Sequence, residues 1–429
     1  MRLRIIHLNV IRIYAHVMWA NVIERPDAWS HNYAKMKILV VCQYFYPESF
    51  SINDVVKGFV DAGHDVFVVT GQPNYGYEKI MDGYEDVVDE TIFGARVHRC
   101  ALKPRKKGRF SIIENYLSFW STSKKYLRKL KEEFDVVYSM SLSPLTAIVG
   151  GTVYARKHHV RHVLHCLDLW PESTVVTGAV RKDSLVYRIL FRWCKAIYSK
   201  LDEILISSPS FETYFRQTLK VNRVPISYVP QPPQTALPSE TVSYEHPFNF
   251  VYAGNIGTLQ LVEQLVLAVD LIKNQADVHL HLIGMGARSD AVMALIKERG
   301  LEDQISFYGV KPRCVTASYY EKATGIIVSL THAGTVGKTI PAKLTTALYY
   351  GKPILAVLGG DGRALLEESG GGVFAKGETP EDIAEAMMTL VSMDEEERSK
   401  LGQKNKVYFD SHYDNTKIVA DIIDHLSRK

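Results

Sequence analysis

The nine residues HCLDLWPES (165–173) crowd a histidine, an aspartate, a tryptophan and a glutamate onto the exit of an apolar run. A parallel sheet presents its polar groups to ligands at such an exit. Asp168 is the candidate to hold substrate hydroxyls, with His165 beside it as a second catalytic candidate, and Glu172 suits the first turn of a helix. A histidine in an apolar run is also a common core residue, and that reading of His165 stands next to the catalytic one.

A second constellation lies past the midpoint. Gly254 and Gly257 (GNIG), Gly284 and Gly286 (GMG) and Gly359–Gly362 (GGDG) follow apolar runs, where a residue without a side chain lets backbone approach a ligand. A glycine there is often only a turn, and GGDG reads that way. In KTIPAKLTTALYYGKPILAV (338–357), Pro341 suits the first turn of a helix and Gly351 its end. The free N–H groups of that helix start, with Lys343 beside them, would cradle a diphosphate. No GxGxxG with a distant acid and no GxxxxGK[ST] occurs, which sets aside nicotinamide and P-loop chemistry. No DxD-like or CxxC spacing points to a metal.

A third feature is KPRKKGRFSIIENYLSFW (103–120), five basic residues leading into an aromatic, apolar segment. That combination suits an anionic membrane face, and a solvated loop before a core helix is the plainer reading. A net charge of +4 over 429 residues gives no support to nucleic-acid binding. Five scattered cysteines read as reduced thiols of a cytoplasmic protein. Residues 1–35 are expected to be an extension or to lie upstream of the true start, with a membrane-surface helix as the alternative.

The elements that must position these groups alternate strand and helix. KILVV, DVFVVT, DVVYSM, RHVLHC and EILISS predict strands of a first α/β unit. The proline-rich VPQPPQTALPSE (229–240) predicts a linker. FNFVYAG, VHLHLIG, ISFYG, GIIVSL and PILAVLGG predict the strands of a second unit. The fold class is α/β: two Rossmann-like, doubly wound domains facing a cleft. The expected boundaries are 36–235 for an acceptor-binding domain, 241–405 for a nucleotide-sugar-binding domain, and 406–429 for a C-terminal helix crossing back to the first.

Over residues 36 to about 425 the sequence resembles the retaining glycosyltransferases of family 4, whose fold is called GT-B. The resemblance rests on DAGHDVFVVT and DLWPES, the latter similar to bacterial polysaccharide transferases of the fucosaminyltransferase type. VYAGNIG, HLIGMG, SFYGVKP, TIPAK, ALYYGKPILA and ESGGGVF follow in family order. It implies a nucleotide-diphosphate sugar as donor and no required cofactor. Gly254, Asn255, Gly257 and Gly284 would approach the donor, the base would sit near Gly309 and Val310, and the diphosphate would lie on Thr339, Ile340, Pro341 and Lys343. The family's two glutamates are replaced by Lys338 and Thr346, so Thr346 becomes the ribose partner. The implied acceptor is a polyprenyl-diphosphate-linked glycan at the inner membrane face, in capsule, O-antigen or exopolysaccharide synthesis. Two alternatives share the fold: a nucleotide-sugar 2-epimerase, and a catalytically degenerate partner subunit of a glycan assembly complex.

Overall fold

The computed structural model describes residues 34–76, 78–106 and 108–428, with Arg109 described by its backbone. The expectation for residues 1–35 falls almost wholly outside them. The described chain divides into two compact units, with the break between Pro232 and Pro233 inside the proline-rich segment.

The first unit holds an eight-stranded sheet ordered β3-β4-β2-β1-β5-β6-β7-β8. Its strands are β1 (Lys37–Val41), β2 (Asp65–Gly71), β3 (Asp89–Ile92), β4 (Ala95–Cys100), β5 (Val136–Ser141), β6 (Arg161–Cys166), β7 (Glu203–Ile206) and β8 (Ile226–Tyr228). All neighbours pair in parallel except β3 and β4, which form a hairpin. Phe93 and Gly94 turn that hairpin with positive φ, as a two-residue connection requires. Helices α1 (Ile52–Asp61), α2 (Arg109–Lys129), α3 (Val149–His158), α4 (Glu172–Val176), α5 (Leu185–Tyr198) and α6 (Ser210–Thr213) connect them. Strands β1, β5, β6 and β7 are buried almost throughout because helices cover both faces of a parallel sheet.

The second unit has six strands, all parallel, ordered β11-β10-β9-β12-β13-β14. They are β9 (Phe248–Ala253), β10 (Val278–Ile283), β11 (Ile305–Phe307), β12 (Gly325–Ser329), β13 (Ile354–Val357) and β14 (Gly372–Phe374). The helices are α7 (Val262–Ile272), α8 (Ser289–Glu298), α9 (Arg313–Lys322), α10 (Ala342–Tyr349), α11 (Gly360–Ser369), α12 (Pro380–Ser392) and α13 (Glu395–His412). One core, built on Phe250, Leu280, Leu282, Leu265 and Met387, joins the sheet to α7 and α12.

The last helix, α14 (Asn415–Ser427), belongs to the first unit. It packs on α1, where Gly58 leaves room for Val419: a Cβ at position 58 would stand 2.7 Å from Val419 Cγ1. His425 Nδ1 sits 2.6 Å from the buried carboxylate of Glu203, and Arg161 and Arg428 also pair with it. Burial works against that carboxylate's charge, yet the His425 hydrogen bond and the nearby cations hold its pKa below the usual range.

The loops after β9, β10 and β11 are stitched together by main chain. The Gly254 N–H donates to Ile283 O at 2.9 Å, the Ile256 N–H to Met285 O at 3.1 Å, and the Gly284 N–H to Gly309 O at 2.8 Å. This leaves no room for side chains: a Cβ on Gly284 would stand 1.9 Å from Gly254 O, and one on Gly286 2.3 Å from Ile256 O.

Two predictions follow from this packing. Gly284→Ala must separate the two loops, so it is expected to cost about 3 kcal/mol. Gly309→Ala meets nothing within 4 Å and carries only the strain of φ +66, about 1 kcal/mol; a denaturant titration of both variants checks the contrast. His162 and His165 are buried and burial pushes their pKa values down to about 3 and about 4. Both are neutral when folded and take up a proton when unfolded below about pH 6.5, so their contribution is complete above that pH and shrinks as pH falls. By pH 5 each should cost about 2 kcal/mol, and a melting temperature that does not fall between pH 7 and pH 5 contradicts this.

Candidate functional site

In the second unit the residues gather at the carboxyl ends of β9, β10 and β11. Tyr252, the penultimate residue of β9, donates its hydroxyl to Asn255 O at 2.6 Å and so braces the GNIG turn. The turn is also closed from within, since Gln260 Oε1 accepts from the Gly257 N–H and from Asn255 Nδ2, each at 3.1 Å. Lys343, in the first turn of α10, donates to the Tyr252 hydroxyl at 2.7 Å, with Nζ 4.3 Å from the ring centroid. A Cβ on Gly254 would stand 3.4 Å from that Nζ, so glycine keeps the ammonium's surroundings open. Among the described residues no carboxylate pairs with Lys343, and burial pushes its pKa down to about 7 although part of the side chain stays exposed. A partly desolvated ammonium at a helix start, lacking its own anion, is arranged to receive one.

The sequence-predicted residues divide around this centre. Gly254, Asn255, Gly257 and Lys343 are brought together, with Thr339, Ile340 and Pro341 leading into α10. Pro341 stands just before the helix, one position earlier than expected, and Gly351 follows its end at φ +60. Gly309 accepts from Gly284 while Val310 is exposed. One of these expectations needs correction. The close approach at Gly284 is to the neighbouring loop and not to a ligand, because Gly254 O fills the space in front of it. Thr346 Oγ1 accepts from the Gln234 N–H at 3.1 Å, fastening the proline-rich segment to α10, and the hydroxyl's own proton is still there to donate. The GGDG turn begins α11, where a Cβ on Gly360 would stand 2.6 Å from Lys338 Cα, which agrees with a structural turn.

In the first unit, Asp168 lies just beyond β6. The Ser143 hydroxyl donates to its Oδ2 at 2.5 Å, and Ser143 Oγ is 2.9 Å from Ser173 Oγ. Burial raises its pKa, while the Ser143, Leu169 and Ser173 donors pull the other way. Ser143 also lines a small cavity of about 20 Å³ with Gln43, Tyr44, Phe50, Met140 and Leu142. Gln43 Nε2 donates to Asn115 Oδ1 at 2.8 Å, and its buried Oε1 has no partner among the described residues.

His165 is a correction. Its Nε2–H donates to Val229 O and the Tyr138 hydroxyl donates to its Nδ1, each at 3.0 Å. With both nitrogens committed and no exposed surface it braces the sheet and cannot reach a substrate. Glu172 opens α4 as expected, buried and accepting from the Tyr187 hydroxyl at 2.6 Å. Sequence reasoning missed Glu48, whose Oε1 accepts from the Asn74 and Tyr75 N–H groups at 2.7 and 2.6 Å. Burial pushes the Glu48 carboxyl up to about 7. The signal was a carboxylate after Pro47, in the loop between β1 and α1. It also missed Tyr252, which reads as one more strand residue. Among the described residues no cluster of three or more His, Cys, Asp or Glu could hold a metal ion.

Comparison with known proteins places both units. Residues 50–232 match the family described as "Glycosyl transferase 4-like domain", and residues 234–407 match "Glycosyl transferases group 1". The probable glycosyltransferase WbjE of Pseudomonas aeruginosa is 28% identical over 249 residues, covering 54% of this chain and 60% of that one, so the likeness spans well under two thirds of the relative. The sucrose-phosphate synthase of Thermosynechococcus elongatus superposes with a TM-score of 0.73 at 17% identity, over 91% of this chain and 98% of that one. HepE of Anabaena, solved with UDP and glucose, gives 0.65 at 14% identity over 91% and 99%. At such identities the structures speak for the fold, and the fold is GT-B. With consecutive matches over nearly all of residues 50–407, the chain carries a glycosyl transferase 4-like domain followed by a glycosyl transferases group 1 domain.

Proposed function

We propose that this protein transfers a hexosyl-type sugar from a nucleotide-diphosphate donor, with retention, onto a lipid-linked glycan acceptor. The observation that carries the reading is Lys343: an ammonium without a carboxylate, held by the Tyr252 hydroxyl at 2.7 Å in the first turn of α10. A diphosphate supplies the missing charge, and its binding restores the ammonium's full protonation. The diphosphate would lie along Thr339, Ile340 and Pro341 into the α10 N-terminus, and the exposed Val310 beside Gly309 offers the base an apolar face. That the Anabaena protein was solved with UDP and glucose favours uridine as the base to test first.

The chemistry then asks little of acid–base groups. As the bond to the donor phosphate lengthens, Lys343 and the α10 N–H groups take up the growing charge. The leaving phosphate accepts the acceptor's hydroxyl proton as that hydroxyl attacks from the same face. Asp168, its carboxyl fixed by Ser143, would orient acceptor hydroxyls. No metal is required by this scheme. The acceptor class, a polyprenyl-diphosphate glycan of the kind used by fucosaminyltransferase-like enzymes for capsule, O-antigen or exopolysaccharide, follows from the DLWPES resemblance. Such an acceptor places the protein in the cytoplasm, peripherally on the inner membrane face, with the basic segment from residue 103 as one contact. A second reading, a catalytically degenerate partner subunit, is favoured by Thr346, a neutral hydroxyl where the resemblance expects a glutamate.

Calorimetry with uridine, guanosine and thymidine diphosphates and their sugars decides between the two. The transferase reading expects micromolar binding of one base, and silence across all of them favours the degenerate partner. Lys343→Ala should weaken that binding about 10- to 100-fold, equivalent to about 1.4–2.7 kcal/mol. Wild-type affinity should decline as pH rises from 7.5 to 9, where the diphosphate's own ionisation is complete and Lys343 loses its proton in the free protein; in Lys343→Ala the slope should vanish. Asp168→Asn should lower turnover more than donor affinity, and unchanged turnover removes Asp168 from the site.

A further inference from the structure

Helix α5 leaves a broad face uncovered. Leu185, Val186 and Ile189 are 71%, 57% and 58% exposed, on adjacent positions of its first two turns. Arg188 and Arg192, one turn apart, are exposed between and beyond them, and neither pairs with a carboxylate among the described residues. An open groove runs between Tyr187, Arg188, Phe191 and Arg192. The helix LVYRILFRWCKAIY contains no acidic residue. Lys182, just before it, is exposed, with its ammonium 3.9 Å from Glu172. Folding alone gives no reason to leave three large aliphatic side chains in water next to unpaired guanidinium groups.

The face continues onto α2. Trp120 and Trp193 meet edge to face, 6.1 Å between centroids, and tie the two helices together. One turn before Trp120 stands the exposed Leu117, and one turn before Trp193 stands Ile189. Farther along the same stripe of α2, Ile113 and Phe110 are also exposed, Phe110 at 87%. Lys103 and Lys106 are exposed in the segment that leads into them, Lys103 paired at 2.8 Å with the exposed Glu114 of α2.

We infer that α5, together with the first two turns of α2, is the surface by which the protein docks on an anionic lipid bilayer. Leu185, Val186, Ile189 and Phe110 enter the acyl boundary, while Arg188 and Arg192 hold lipid phosphates in the groove. The charge pattern selects this occupant: apolar side chains with cations interleaved, and no acid on α5, suit a phosphate-covered apolar phase. This deepens the membrane contact proposed above, on which it rests, by naming an element absent from the basic segment.

The test is co-sedimentation of the full chain with vesicles of phosphatidylcholine alone or mixed with phosphatidylglycerol. The proteins are the wild type, Leu185→Ser with Ile189→Ser, and Arg188→Glu with Arg192→Glu. All four side-chain changes are at exposed positions, and melting curves matching the wild type confirm folding. The wild type should bind the anionic vesicles and each double variant should bind about tenfold more weakly or worse. If the wild type binds and both variants bind equally well, the role of α5 is overturned while the membrane contact stands. If the wild type binds no vesicle, both fall. If sedimentation velocity shows a wild-type dimer that either variant abolishes, the face belongs to a second copy and the inference is overturned.

Discussion

Three successive loops of the second unit hydrogen-bond to one another through main chain alone, from Gly254 to Ile283, Ile256 to Met285 and Gly284 to Gly309. This seam is the constraint on which the candidate site depends. With the GNIG turn pinned, Asn255 O stands where the Tyr252 hydroxyl can donate to it, which turns that oxygen's lone pairs toward Lys343. The ammonium is thereby held in the first turn of α10 without a counter-charge, so a structural bond between loops ends as an electrostatic preference at the surface. A softer turn would let Lys343 swing into solvent and regain its hydration, and the preference for an anion would weaken with it.

The first unit solves the burial of charge in two other ways. Glu203 is matched by His425, Arg161 and Arg428, and keeps its charge more firmly than a carboxylate in water. Glu48 is met chiefly by the dipoles of two consecutive backbone N–H groups, too little to offset burial, and its pKa lies near neutrality. The contrast separates a structural fastening from a group able to change protonation in the physiological range.

The strands that build the core were legible in the sequence because helices cover both faces of them, which makes the ILVV of β1 continuously apolar and leaves only His279 and His281 to interrupt VHLHLI in β10. Strands β3 and β4 were missed for the opposite reason. DETI is the edge strand and ARVHRC lies next to it, and both interleave charged or polar residues with apolar ones, so they lack an apolar run. The short β8 and β14 sit at edges too. At the site, Lys343 and the glycine turns could be read, since helix starts and positive-φ turns have residue requirements of their own. What could not be read was which neighbour each group meets. His165 and Asp168 are three residues apart, yet one faces Tyr138 inside the sheet and the other meets Ser143 beyond its end. Gly284 serves a loop and Thr346 serves the Gln234 backbone, and both depend on contacts far along the chain.

Helix α14 completes a unit that the chain left behind at Pro232. The Glu203 carboxylate and its His425 partner are separated by 222 positions. As the polypeptide emerges during synthesis, the first sheet can form long before α14 exists, but with Glu203 short of its partner and the surface around Gly58 uncovered. The second unit must be made in between. Its folding therefore sets how long the nascent first unit waits in an unfinished form, open to chaperones and to wrong partners, before its own last helix closes it.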